Sequence, residues 1–120
     1  MKCLLYSAVF RLNGLYKHIQ RPSNMSWDFL IFTDDPTKIK CDEPWKIVQV
    51  SKPHPDNRLC NRYYKWKIHE IVQDYDIVFY VDSKWILQDT VLNHIEYYIK
   101  LIEDNKKLGI FFIKCLLKIK

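Results

Sequence analysis

The stretch DIVFYVDSKW, Asp76 to Trp85, runs through Ile77, Val78, Phe79, Tyr80 and Val81 and then presents Asp82 and Lys84. A β-branched and aromatic run of this length reads as a strand covered on both faces. Its carboxylate and its ammonium therefore stand at the carboxyl end, the edge where open α/β sheets bind ligands. Two chemistries are open to the pair. On an extended backbone Asp82 and Lys84 fall on one side and suit a structural ion pair. Equally, Asp82 suits a hard cation such as Mg²⁺ or Mn²⁺ while Lys84 takes phosphate oxygens directly. A carboxylate that ends a buried strand needs some such partner, because leaving it dry and unpaired is costly.

Two further groups could join it. Arg58, Arg62, Lys65 and His69 recur at steps of four, three and four, which puts three cations and an imidazole on one helix face. Such a stripe is either an ordinary solvated face or, because this helix feeds directly into the strand ending at Asp82, a face for phosphate. Asp34 and Asp35 follow the run FLIFT. Asp before Pro36 is a common turn starter, yet acids at a strand end also suit a nucleotide ligand.

The elements that must position these groups alternate in type. Strands are expected at Lys2 to Phe10, Trp27 to Thr33, Trp45 to Ser51 and Asp76 to Asp82, with TDDPT and KPHPDN as turn-rich breaks. Helices are expected from Arg58 to Val72, capped by Asp56 or Asn57, and from Thr90 to Asp104. Cys60, Tyr64, Ile68 and Ile71 form the core stripe of the first, and Val91, Ile95, Tyr98 and Ile102 that of the second. The segment Arg11 to Ser26 reads as a short helix and a loop. The whole predicts a single α/β domain, residues 1–120, with a mostly parallel sheet flanked by helices.

Composition narrows the function. A chain of 120 residues with 48% hydrophobic content builds one modest core. The formal charge of +5 lies in Lys106, Lys107, Lys114, Lys118 and Lys120, beyond the last acid, Asp104. The body is neutral, which speaks against a nucleic-acid surface. Gly14 and Gly109 are the only glycines, so neither a P-loop nor a dinucleotide fingerprint can be built and any phosphate must be held by side chains. Cys3, Cys41, Cys60 and Cys115 show no paired metal spacing, no leader pattern follows MKCLLYSAVF, and no run reaches membrane-spanning length. A reduced, cytoplasmic protein without a transmembrane segment is expected.

WDFLIFTDD, PWKIVQV and RLCNRYYKWKIHEIVQDYDIVFYVDSKWIL together resemble the glycosyltransferase-like family of plants, bacteria and large viruses, formerly classed as a domain of unknown function. That family is similar to the GT-A nucleotide-sugar transferases, including the glycogenin-like family, and the resemblance covers roughly residues 2 to 112. It implies the donor-binding half of a GT-A-like fold and a sugar transferred from a nucleotide diphosphate to a carbohydrate or glycan acceptor. Asp82 would stand at the first aspartate of the Asp-x-Asp motif, reaching a Mn or Mg ion or the ribose. Arg58, Arg62, Lys65 and Lys84 would approach the diphosphate, and Asp34 or Asp35 the nucleoside. Lys84 replaces the second aspartate, which puts metal dependence in question.

The basic, apolar tail at 106–120 departs from the pattern and reads as a truncated end that leaves a strand edge exposed. Against the transferase stand two alternatives. One is a truncated, non-catalytic module of the same fold. The other is a metal-dependent nuclease, since Asp-x-Lys on a strand after an upstream acid is also a nuclease arrangement. The neutral body and the intervening helix count against the nuclease.

Overall fold

In β1 (Lys2–Val9) every residue from Cys3 onward is buried, and Phe10 continues the run. A strand buried on both faces belongs at the centre of a covered sheet. The computed structural model, which describes residues 2–10, 13–20, 26–83, 85–87, 91–104 and 117–119, puts it there. β1 pairs in parallel with β3 (Ser26–Thr33) on one side and with β6 (Ile77–Tyr80) on the other, and β3 pairs in parallel with β5 (Lys46–Gln49). The order is β5-β3-β1-β6. The expected α/β architecture with a parallel sheet is thus present, and all four carboxyl ends emerge on one edge.

Period-two alternation sorts β1 between two cores. Cys3, Leu5 and Val9 join Trp27, Phe29 and Ile31 in a cluster with Val91, Leu92, Ile95 and Ile99 of α3 (Val91–Asp104). Leu4, Tyr6, Ala8 and Phe10 face the other way, onto Cys60 and Tyr64 of α1 (Asn57–Trp66) and Ile68 of α2 (Ile68–Ile71). On the first side Glu96 is only 5% exposed, and its carboxylate accepts from Trp27 Nε1 at 2.7 Å, a charge-assisted tie between α3 and β3.

Two expectations are corrected. The helix from Arg58 to Val72 is two helices with a break at Lys67 (φ −106°, ψ 13°). The Tyr6 hydroxyl donates to the carbonyls of Tyr64 and Lys65 at 3.2 and 3.1 Å, acceptors that an uninterrupted helix would use for its next turn. Ile71, expected in the core stripe, is 36% exposed beyond that break. Within Arg11 to Ser26, the described residues hold no helix; Gly14–Tyr16 forms β2, parallel to β4 (Ile39–Cys41). A Cβ on Gly14 would meet Ile39 Cδ1 at 2.9 Å and Tyr16 Cε2 at 3.0 Å, so this close approach favours glycine.

The other elements lie close to their expected bounds, including α3, although Thr90 lies outside the described residues. Of the tail, only Leu117–Ile119 is described; it forms β8, antiparallel to β7 (Trp85–Leu87). Cys3, Cys41 and Cys60 are not joined in disulfides, and Cys115 lies outside the described residues. Among the described residues no helix is long and apolar enough to cross a membrane.

Candidate functional site at the carboxyl edge of the sheet

Numbering only the strands of the parallel sheet, the order is third, second, first, fourth, so the direction of winding reverses between β1 and β6. Ligands of open α/β sheets bind in the crevice that such a reversal opens at the carboxyl ends. β6 ends at Tyr80, and the Val81 N–H still donates to the Tyr6 carbonyl at 2.9 Å, which keeps the chain registered on β1. Asp82 is the next residue, half-buried. Its sequence-predicted place, just past the end of a strand on the carboxyl edge of the sheet, is therefore the observed one.

Around it stand side chains that the sequence did not single out. Tyr16 of β2 is 5% exposed, and its hydroxyl shares a 2.7 Å hydrogen bond with Ser7 Oγ of β1. Burial pushes the Tyr16 hydroxyl far up, and the Asp82 carboxylate adds to the effect against the opposing Ser7 bond. Burial first, and then the same carboxylate, drives Tyr80 upward as well. Both phenols are held neutral, and both feel the charge of Asp82. Ser7 was the available signal, for a buried hydroxyl inside an apolar strand needs a partner.

Lys65 reaches the same place from the neighbouring helix. Its Nζ lies 5.5 Å from the centroid of the Tyr80 ring and 5.6 Å from that of Trp66. Lys65, from α1, and Asp82, from beyond the end of β6, thus both bear on Tyr80: the ammonium lies over its ring and the carboxylate raises its hydroxyl. The backbone of Lys65 is fixed too, since its carbonyl accepts from Tyr6.

The remaining cations differ. Arg58 opens α1 and is exposed; Arg62 lies one turn further on the exposed side, between the buried Cys60 and Tyr64. His69 is exposed on α2, with Nε2 3.8 Å from Glu70. Lys84 lies outside the described residues. The helix N-terminus itself holds an anion already: Asp56 caps it, accepting from the Arg58 N–H at 2.8 Å, and this bond holds the Asp56 carboxyl below its usual value.

The loop before that cap is cross-tied. Lys52 Nζ donates to the Pro55 carbonyl at 3.0 Å and to Asn57 Oδ1 at 2.6 Å. The Asp56 N–H donates to His54 Nδ1 at 3.0 Å, and Cys60 Sγ donates to the His54 carbonyl at 2.9 Å. A loop held at four points sets where α1 begins.

The two acids after β3 separate in role. Asp35 caps the 3₁₀ turn Pro36–Lys38, accepting from the Thr37 N–H at 3.1 Å and from the Thr37 hydroxyl. Those bonds hold its carboxyl below the usual value, the side-chain bond first. Asp35 therefore acts as the turn starter, while Asp34 is half-buried just beyond β3 on the same edge.

Among the described residues no three His, Cys, Asp or Glu side chains gather as a metal-binding group. A single carboxylate such as Asp82 would hold Mn²⁺ or Mg²⁺ only together with water and the phosphate oxygens of a ligand. Comparison with protein-family models, curated proteins and solved structures finds no match for this chain.

Proposed function

We propose that the chain binds a nucleotide-diphosphate sugar across the carboxyl edge of its parallel sheet and acts as a GT-A-like glycosyltransferase. The observation that carries this reading is the position of Asp82, just past the end of β6 where the strand order reverses, with Lys65 Nζ 5.5 Å from the centroid of the neighbouring Tyr80 ring. Lys65 contacts the diphosphate, Arg58 at the mouth of α1 and Lys84 after Asp82 add positive charge, and Asp82 accepts from ribose hydroxyls. Asp34 faces the nucleoside.

The chemistry asked of these groups is modest. The bond between the anomeric carbon and the diphosphate oxygen breaks, and its electron pair leaves on the diphosphate. The acceptor oxygen forms the new bond and loses its proton. Cations fixed beforehand around the leaving diphosphate stabilise the charge that develops there, and such preorganisation commonly contributes more to the rate of a group transfer than any other single effect.

Isothermal titration with a panel of nucleoside diphosphates, with and without Mn²⁺, tests the proposal. One nucleotide should bind the full chain, and Lys65→Ala and Asp82→Ala should each abolish detectable binding while leaving the circular dichroism unchanged. Slow hydrolysis of the matching nucleotide sugar should follow the same pattern. If the folded protein binds no nucleotide, the transferase reading falls and the non-catalytic module takes its place.

A further inference from the structure

Among the described residues the exposed large apolar side chains are unevenly placed. Leu59, Tyr63, Trp66 and Ile71, from 36 to 68% exposed, lie on α1 and α2, whereas Leu15, Val78 and Tyr97 are scattered over three other elements. Leu59, Tyr63 and Trp66 fall at steps of four and three, so they share one side of α1. Cys60 and Tyr64, each about 100° further round the helix, face the sheet, so the stripe flanks the core face. Leu59 to Trp66 is about 10 Å along the helix axis.

Cations border this stripe. From Asn57 to Lys67 the chain has Arg58, Arg62, Lys65 and Lys67 and no acid. The first acid, Glu70, lies 3.7 Å from Lys67 and 3.8 Å from His69. An aromatic and aliphatic stripe rimmed by cations complements an apolar surface that is itself edged with anions. The face is the convex side of one helix, which fits a plane better than a protruding segment.

Stacking on a base or sugar is less well served. Lys65 Nζ already lies over the Trp66 ring, and Tyr63 packs against the Tyr64 ring with centroids 5.3 Å apart. Trp and Tyr with Leu, flanked by Lys and Arg, is by contrast the composition of helices that lie in a membrane interface.

We propose that the outer face of α1 docks on a bilayer surface rich in anionic phospholipid, Leu59, Tyr63 and Trp66 entering the headgroup boundary while Arg62 and Lys67 meet lipid phosphates. The association is peripheral and reversible, because one short apolar stripe supplies little buried area. It does not depend on nucleotide binding.

Co-sedimentation of the full chain with vesicles of phosphatidylserine and phosphatidylcholine, against phosphatidylcholine alone, tests it. Binding is expected only with phosphatidylserine and should fall as salt is raised. Arg62→Gln and Lys67→Gln should each weaken it about fivefold, in line with the attraction of one basic side chain near such a surface. Tyr63→Ser combined with Trp66→Ser should weaken it at least about tenfold, with circular dichroism confirming the fold. The milder Trp66→Phe should remove the blue shift of tryptophan emission that wild type shows on these vesicles. Absence of co-sedimentation would overturn the proposal, as would a double variant that binds like wild type. Heparin or an oligonucleotide bound as tightly, with the same dependence on Trp66, would make the face a polyanion site and overturn it too.

Discussion

Tyr6 joins the fold to the candidate site through a single hydroxyl. Its O–H is shared as donor between two carbonyls at the end of α1, and one of these belongs to Lys65, whose ammonium lies over the Tyr80 ring. Burial holds the phenol neutral by pushing it up to about 12, so the donor persists across ordinary pH. Tyr6→Phe keeps the ring packing and strands two acceptors. We expect a loss of about 1–3 kcal/mol in urea unfolding, together with weaker nucleotide binding because the Lys65 backbone is no longer held. Unchanged stability would show that water replaces the hydroxyl and that the helix break has another cause. At this scale Asp82 and Lys65 were legible in the sequence, as a charge after an apolar run and a cation on a helix stripe. Tyr16 was not, because its neighbour Asp82 lies far along the chain and arrives only through the sheet.

The long elements announced themselves through period and length. β1 and β3 bury what their patterns assign to the core, and α3 buries Val91 and Ile95, whereas β6, expected to be covered on both faces, lies at the edge of the parallel sheet with Val78 37% exposed. The short ones did not. β2 and β4 are three residues each, too short for a period, and exist because each supplies the other's hydrogen bonds. The break at Lys67 was invisible for a related reason: its cause sits on β1, 58 and 59 residues from the carbonyls concerned. Gly14 tests how tightly β2 seats. Ile39 Cδ1 can turn aside from an added methyl, whereas the Tyr16 ring is held by Ser7 and lies 5.0 Å from the Trp45 ring. Gly14→Ala should cost about 1–2 kcal/mol by overpacking, read as a lower urea midpoint with unchanged slope. A midpoint equal to wild type would mean that β2 shifts freely and does not fix Tyr16.

For the molecule as a whole, the buried phenols set a limit on the alkaline side. Tyr6, Tyr16, Tyr75 and Tyr80 all have hydroxyls raised above the ordinary value of 10, by burial first, and Tyr75 also donates to Asp28 at 2.7 Å. A group whose value is raised in the folded state stabilises fully below its unfolded value and loses that stability as pH climbs toward the folded one. Stability should therefore hold up to about pH 10 and decline above it, Tyr6 and Tyr75 resisting ionisation to about 12. Tyrosinate absorbance and far-ultraviolet circular dichroism, followed together, should change in one step; ionisation of these phenols before any loss of helix would refute the assignment. The parallel pairing of β1 also has a consequence during synthesis. Lys2 bonds to Asp76, 74 residues away, so at ordinary elongation rates the first strand leaves the ribosome on the order of 4–15 s before its β6 partner. Throughout that interval a run of apolar side chains with open hydrogen-bonding edges has no native neighbour on that side, which makes the nascent chain a natural client for a ribosome-associated chaperone.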